Sequence, residues 1–183
     1  GHEWDLWQKD FFTPLTQLLQ AVPIYPVLGN HEGNQKYYYD YFVLPGVESW
    51  YRFQYGDAEF FALNNYAKFG PGSKQYKWFK KSLSESTARW KIVFFHEPPF
   101  SCTAKRKPGS RYVRKYLVPL FDSHGVDLVL LGHDHLYGRS RNINGVTYVI
   151  SGGGGAGLYE GQEDGDMPVC IKKHHYVRFD VDS

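Results

Sequence analysis

The sequence has no long apolar run, few cysteines and little net charge. No stretch of about 18 apolar residues occurs, so we expect no membrane-spanning helix and no membrane partner. The net charge of +2 is too small to indicate a nucleic-acid partner. Cys102 and Cys170 permit at most one internal disulfide, and free thiols are equally open.

Motifs of three common protein classes are also missing or incomplete. Neither the G-x-S-x-G elbow of serine hydrolases nor the Walker A motif of P-loop proteins occurs. Gly152, Gly154 and Gly157 satisfy the dinucleotide pattern G-x-G-x-x-G, but an acidic, glycine-broken stretch follows where a helix is required. We therefore set these three classes aside. The sequence shows no repeats and predicts one domain over residues 1–183.

Three polar clusters each follow a short apolar run. The clusters are Gly29–Glu32, His96 and Gly132–His135, after apolar runs at 24–28, 92–95 and 126–131. Such runs predict buried strands that carry side chains at their carboxyl ends, the edge where open α/β sheets bind ligands. Imidazole nitrogens and amide oxygens are ligands for zinc, iron and manganese. The sequence therefore predicts a metal site.

Two of these histidines stand two residues apart. Side chains at such positions of a strand point to opposite faces, unless the strand has already turned into a loop. His133 and His135 therefore suit two adjacent metal ions better than one. A pair of metals roughly 3.5–4 Å apart is a common device for hydrolysing phosphate esters.

In this order, the motifs GNH[DE], VxxH and GHxH resemble the calcineurin-like metallophosphoesterases, and within them the purple acid phosphatase branch. They stand here as Gly29–Glu32, Val93–His96 and Gly132–His135, flanked by Pro98-Pro99 and by Tyr137-x-Arg139. The resemblance covers roughly residues 1–160. It implies an α/β fold of the four-layer αββα kind, a sandwich of two sheets with helices outside.

The resemblance also implies a cofactor and its ligands. The cofactor is two divalent or mixed-valence metal ions, of iron, zinc or manganese. Asn30, His96 and His133 are implied as ligands of the second metal and His135 as a ligand of the first.

The residues beside these ligands receive other roles. His31 is implied as the catalytic residue, which binds substrate or protonates the leaving oxygen, and we expect Glu32 to orient it. Tyr137 and Arg139 are implied as substrate-binding residues. We interpret Asp134 as an anchor of its loop and not as a ligand.

Two earlier motifs of the family, Asp-x-Gly or Asp-x-His and Gly-Asp-x-x-Tyr or Gly-Asp-x-x-Asp, do not precede Asn30. The Gly-Asp pairs at 56–57 and 165–166 both come later. In the family these motifs supply the remaining carboxylate ligands, including the bridging aspartate. We therefore expect an amino-terminally truncated catalytic domain, its carboxyl-terminal two-thirds, without the first βαβ portion. We then expect an exposed apolar patch, or a partner's surface, beside Ile24, Val27 and Leu28.

The predicted function is metal-dependent hydrolysis of small-molecule phosphate esters at a dinuclear centre. Monoesters are favoured and diesters remain open. The intact parent is predicted to be the enzyme, and this chain alone to be weak or inactive. The alternative is a non-catalytic half-domain that keeps the His/Asn cluster. The resemblance favours a secreted or periplasmic protein and leaves the exact substrate, the metals and the oligomeric state open.

Hydrophobic periodicity and turn residues predict the remaining elements. The predicted helices are Trp4–Ala21, Tyr37–Phe42, Lys74–Leu83 capped by Ser73, and one capped by Ser110; the predicted strands are Val22–Leu28, a hairpin Trp50–Tyr55 and Ala58–Asn64, Trp90–Phe95, Val126–Leu131, Val146–Ser151 and Tyr176–Val181. We interpret Lys105–Lys107 as a solvated loop, with steering of anionic substrates as the alternative. His174-His175 is interpreted as an exposed pair.

Overall fold

The computed structural model describes residues 3–107 and 109–182. Its centre is a seven-stranded mixed sheet with the order β1-β2-β3-β4-β6-β5-β7. The strands β2, β3, β4 and β6 run parallel, and antiparallel strands border them on both sides. The strands are β1 Tyr51–Tyr55, β2 Ala58–Ala62, β3 Trp90–Phe95, β4 Leu128–Leu131, β5 Tyr137–Arg139, β6 Thr147–Ser151 and β7 Val169–Ile171.

Helices accompany this sheet, and the α/β class is confirmed. The helices are α1 Trp4–Leu6, α2 Thr13–Leu19, α3 Lys36–Tyr41, α4 Lys74–Glu85, α5 Arg111–Tyr116 and α6 Val118–Ser123. Ser73 caps α4 as predicted, since its hydroxyl accepts the N–H of Tyr76. The described residues form a single sheet, so the second sheet of the expected sandwich is not present among them.

The predicted helix near the amino terminus contains a π-helical segment. Residues Trp7–Phe12 form this segment between α1 and α2, and the N–H of Thr13 bonds to the carbonyl of Gln8. Pro14 has no N–H to donate, and it lies in the first turn of α2, directly after this π-helical segment. Pro119 has a similar place in α6, and the helix predicted after Ser110 is divided into α5 and α6. Ser110 makes no side-chain cap bond.

The main core lies on one face of the sheet. Side chains at matched register on β2, β3, β4 and β6 meet α4, α5 and α6 there. Burial of these apolar side chains is the main source of stability. The sheet residues of this core include Phe61, Val93, Val129 and Tyr148, and the helix residues include Phe79, Leu83, Val113 and Phe121.

The predicted strand Val22–Leu28 is wrong. This stretch has no strand pairing among the described residues, and Pro23 and Pro26 each lack the N–H that a ladder needs. Side chains hold it instead: the hydroxyls of Tyr38 and Tyr51 donate to the carbonyl of Pro26 at 3.0 and 2.7 Å.

The expected exposed patch beside this stretch is confirmed only in part. Ile24 is 37% exposed, whereas Leu28 is 1% exposed. Leu28 lies in a second, smaller cluster that joins the amino-terminal helix to α3. The buried members of that cluster are Trp7, Leu28, Tyr38 and Phe42.

The carboxyl-terminal part also differs from the prediction. Residues 176–181 form no strand, and the edge of the sheet is Val169–Ile171. Cys170 of this edge strand forms a disulfide with Cys102, which answers the question that the sequence left open. None of the helices in the described residues has the length and hydrophobicity needed to cross a membrane.

Candidate metal centre

The centre is built where two neighbouring parallel strands end. His96 follows β3 and His133 lies one residue beyond Gly132, after β4. The N–H of Gly132 donates to the carbonyl of His96 at 3.0 Å, which continues the pairing of the two strands past their ends. The sheet therefore brings both imidazoles to one edge, as the apolar runs predict.

Three donor atoms converge at this edge. Oδ1 of Asn30 lies 2.8 Å from Nε2 of His96 and 3.2 Å from Nδ1 of His133. The two ring nitrogens are 3.2 Å apart. Asn30 comes from the turn after the unpaired stretch 22–28, so the sheet and a separate segment share this cluster.

The chemistry of these donors fits a cation. An amide oxygen has no proton to give, so each ring nitrogen can approach it only as a donor. Two donating nitrogens then face each other at 3.2 Å. A cation bound by all three atoms would remove this conflict.

The protonation of the rings agrees with metal binding. The pKa of His96 is lowered to about 4, mainly by burial and secondly by the nearby His133. Burial, and then the charge of Arg106, lower the pKa of His133. Both rings are therefore neutral at neutral pH, the form that binds metal.

His135 makes its contacts with other residues. Its Nδ1 lies 2.8 Å from the carbonyl of Gly157, and its ring stacks on Tyr159 with a centroid distance of 4.3 Å. Within residues 3–107 and 109–182, no group of three or more His, Cys, Asp or Glu side chains is arranged to hold a metal ion. The assignment of His135 to a first metal therefore stays a prediction.

Two glycines make room for the cluster. A Cβ on Gly29 would lie 2.8 Å from Cε1 and Nδ1 of the His96 ring. A Cβ on Gly152, directly after β6, would lie 1.9 Å from the carbonyl oxygen of Asp134. No real Cβ fits at such distances, so both positions require glycine where the chain passes the histidine loops.

Asp134 is fully buried and bound by protein groups. Its carboxylate accepts the hydroxyl of Ser101 and, at 3.1 Å, Nη1 of Arg106. These contacts agree with the interpretation of Asp134 as a loop anchor. The interpretation of Lys105–Lys107 as a solvated loop is wrong for Arg106, whose side chain is 32% exposed and pairs with the buried carboxylate of Asp134.

The expected pairing of Glu32 with His31 is not observed. Oε2 of Glu32 accepts the N–H of Gly29 at 2.8 Å and closes the turn that carries Asn30. This carboxylate can satisfy a backbone donor three residues away, and that local bond competes with any contact to His31. His31 itself is exposed in the same turn, and its catalytic role stays a prediction.

Tyr137 and Arg139 lie on β5, one strand beyond β6. The ring of Tyr137 packs edge-on against His175, with 5.4 Å between centroids. His174 is exposed as predicted, but His175 is half-buried, and its Nε2 lies 3.2 Å from Oγ of Ser151. Arg139 is exposed and makes no ion pair in the described part of the chain. The substrate-binding roles of both β5 residues stay predictions.

A cleft of about 520 Å³ adjoins the cluster at Gly29. Tyr66 lines it and also approaches His96, with 5.9 Å between the ring centroids. Its other walls include Tyr39 and Trp50. Sequence reasoning missed Tyr66, Ser101 and Tyr159, and it placed Arg106 in a solvated loop and not at the histidine loop. The buried Asp134, which needs a cationic partner, is the signal that points to a nearby arginine.

Known proteins resemble this chain in sequence and in fold. The sequence profile of the calcineurin-like phosphoesterases matches residues 1–137. Purple acid phosphatase 15 of Arabidopsis thaliana is 29% identical over 175 residues, and purple acid phosphatase 13 is 30% identical over 192. These alignments cover 83% and 90% of this chain and 32% and 34% of the relatives. The chain thus spans about a third of their length.

A solved structure supports the fold. Purple acid phosphatase PPD1 from yellow lupin (Lupinus luteus) seeds superposes with a TM-score of 0.68 over 72% of this chain and 28% of its own. The sequence identity is 23%, so this likeness concerns the fold alone. The calcineurin-like fold expected from the motifs is confirmed.

Proposed function

The chain belongs to the calcineurin-like phosphoesterase family, and we propose that it forms part of a metal-dependent catalytic unit that hydrolyses small-molecule phosphate esters. The observation that carries this proposal is the meeting of Asn30, His96 and His133 at the carboxyl edge of the parallel strands. The names of the purple acid phosphatase relatives support a phosphatase activity.

Within this proposal, Asn30, His96 and His133 hold one cation and His135 contributes to a second. The bound ions, of iron, zinc or manganese, supply positive charge for the phosphoryl oxygens and lower the pKa of the attacking water. His31, exposed beside the ligands, protonates the leaving oxygen, a contribution of typically 10²–10⁴-fold. Tyr137 and Arg139 bind the substrate, and the cleft beside Gly29 has the volume for the alcohol part of a small ester. Monoesters are the favoured class.

The proposed location is a secreted or periplasmic one. The disulfide between Cys102 and Cys170 supports it, because disulfides persist in oxidising compartments.

The test measures hydrolysis of an aryl phosphate and metal content in a protein that carries this chain. We expect activity that is lost on chelation and restored by metal. His31→Ala should lower turnover about 10²–10⁴-fold with metal content unchanged. If metal content fell in proportion to turnover in this variant, His31 would be a metal ligand and its proposed role would be wrong.

The same measurements separate the alternative function. Metal binding without hydrolysis in the whole protein would favour the non-catalytic half-domain, and absence of metal binding would contradict both functions. We expect the 183-residue chain alone to be weak or inactive, so full activity of this chain would contradict the proposed need for further ligands.

A further inference from the structure

One arginine contacts the loop that carries both His133 and His135. Nη1 of Arg106 donates to the carbonyl of His133 and, at 3.1 Å, to Oδ1 of Asp134. A guanidinium presents its donors in a fixed plane, so these two contacts restrict the orientation of the loop. Arg106 thus holds the backbone of His133 directly and also binds the carboxylate of the residue that follows it.

The same guanidinium reaches the second candidate ligand through Tyr159. The guanidinium carbon lies 5.0 Å from the centroid of the Tyr159 ring, and Nη2 lies 3.5 Å from its hydroxyl. The ring of His135 stacks on the same Tyr159 ring, with 4.3 Å between the centroids. The N–H of Tyr159 also donates to the carbonyl of His135 at 3.0 Å. Arg106 and His135 are therefore linked through one aromatic ring.

The loop needs such support because its backbone is strained. His133 has a φ of +66°, a left-handed conformation that costs about 1 kcal/mol or more for a residue with a side chain. Conformations of this kind persist only where surrounding contacts hold them. The bond from Arg106 to the His133 carbonyl acts directly on this residue.

The segment that carries Arg106 is itself fixed. Cys102 is joined to β7 by the disulfide, and its carbonyl accepts the N–H of Gln162. Thr103 forms a bridge with Gly161. Arg106 therefore projects from a held segment and can transmit its position to the histidine loop.

We propose that Arg106, with Tyr159, is a positioning residue that sets the metal affinity of the cluster by holding His133 and His135. This inference rests on the proposed metal-dependent function. Neither residue needs to touch substrate or metal.

The experiment titrates metal-free protein with Zn²⁺ alone, against a competing chromophoric chelator. Arg106→Gln removes both loop contacts, Arg106→Lys keeps the charge without the planar fork, and Tyr159→Leu removes the stacking. Lys107→Gln is the matched control, because Lys107 lies on the same segment and pairs with Asp164 at 2.9 Å instead of the loop. Thermal unfolding of each metal-free variant measures the contribution to folding separately.

We expect Arg106→Gln to weaken Zn²⁺ binding about 10–100-fold, the usual effect of losing a partner that orients metal ligands. Arg106→Lys and Tyr159→Leu should cause smaller losses, and Lys107→Gln should stay within about twofold of wild type. A purely structural role would lower the melting temperature and leave the affinity of the folded protein unchanged. Folded Arg106→Gln protein with an affinity within about twofold of wild type would overturn the inference.

Two further outcomes, a variant that does not fold and wild-type protein that binds no Zn²⁺, also test the inference. Where Arg106→Gln does not fold, Arg106→Lys and Tyr159→Leu are judged by the same affinity criterion. Where wild-type protein that carries this chain binds no Zn²⁺, the proposed function and the effect of Arg106 on metal affinity both fail, and only the positioning of His133 and His135 by Arg106 is judged, on their imidazole NMR signals in metal-free protein. Those signals should shift in Arg106→Gln and not in Lys107→Gln; unchanged signals would overturn it.

Discussion

The two halves of the candidate centre are held in different ways. His96 and His133 follow paired strands, and backbone bonds continue between their loops. Asn30 follows a stretch that contains two prolines and has no strand pairing in the described part of the chain. Tyrosine hydroxyls and the stacked rings of Tyr25 and Phe53 hold this stretch in place. A sheet positions ligands cooperatively, whereas isolated side-chain contacts do so one at a time. We therefore expect the strand-end half to resist perturbation better than the Asn30 half.

The largest expected effect concerns the covalent support of the strand-end half. Replacing Cys102 and Cys170 by serine opens a loop with a sequence separation of 68. By the chain-entropy account this lowers the free energy of unfolding by about 4 kcal/mol. Chemical denaturation measures the loss, and hydrogen exchange should rise first near residues 101–107. Reductant should destabilise wild type equally and leave the serine variant unchanged; a lasting difference between them would contradict this account.

Ligand removal compares the two halves directly. His96→Ala should weaken Zn²⁺ binding by more than about 100-fold, beyond the effect of losing an outer partner. Asn30→Ala should weaken it less, because a neutral amide oxygen on a loosely held turn contributes less than an imidazole. His124→Ala is the control, since this ring binds the carbonyl of Leu120 at a helix end. Equal losses for His96 and Asn30 would contradict the proposed difference.

A methyl group between the halves should disturb both. Gly29→Ala places a Cβ 2.8 Å from the His96 ring and 2.9 Å from Oε2 of Glu32. Overpacking of this kind costs about 1–3 kcal/mol, which thermal unfolding would detect. Gly154→Ala, with open space around its Cβ, should be nearly neutral. Equal melting temperatures of the two variants would contradict a close approach of the His96 ring to Gly29.

The smallest expected effect is confined to the Asn30 half. Tyr51→Phe removes the hydroxyl that donates to the Pro26 carbonyl at 2.7 Å, at a cost of about 1 kcal/mol. Hydrogen exchange at residues 27–30 should rise while exchange in β3 and β4 stays unchanged. Tyr55→Phe, at an exposed ring, serves as the control. Equal increases in both halves would show that they are coupled.

The elements that sequence alone predicts well are those with local causes. The strand Trp90–Phe95 and the hairpin around Gly56 follow from apolar runs and turn residues, and α4 follows from its cap and periodicity. The failures have non-local causes. Residues 22–28 carry the apolar pattern of a strand, but pairing needs a partner and free N–H groups, which that pattern does not report.

The candidate centre divides in the same way. Residue types and their places after strands were enough to predict that His96 and His133 meet, because parallel strands end at one edge. Asn30 joins them as predicted, but the strand predicted before it does not form among the described residues. Only the tertiary structure placed Arg106 on Asp134, turned Glu32 to the N–H of Gly29 and stacked His135 on Tyr159. These contacts join residues from separate loops, and a loop's path depends on packing and backbone strain that no local pattern encodes.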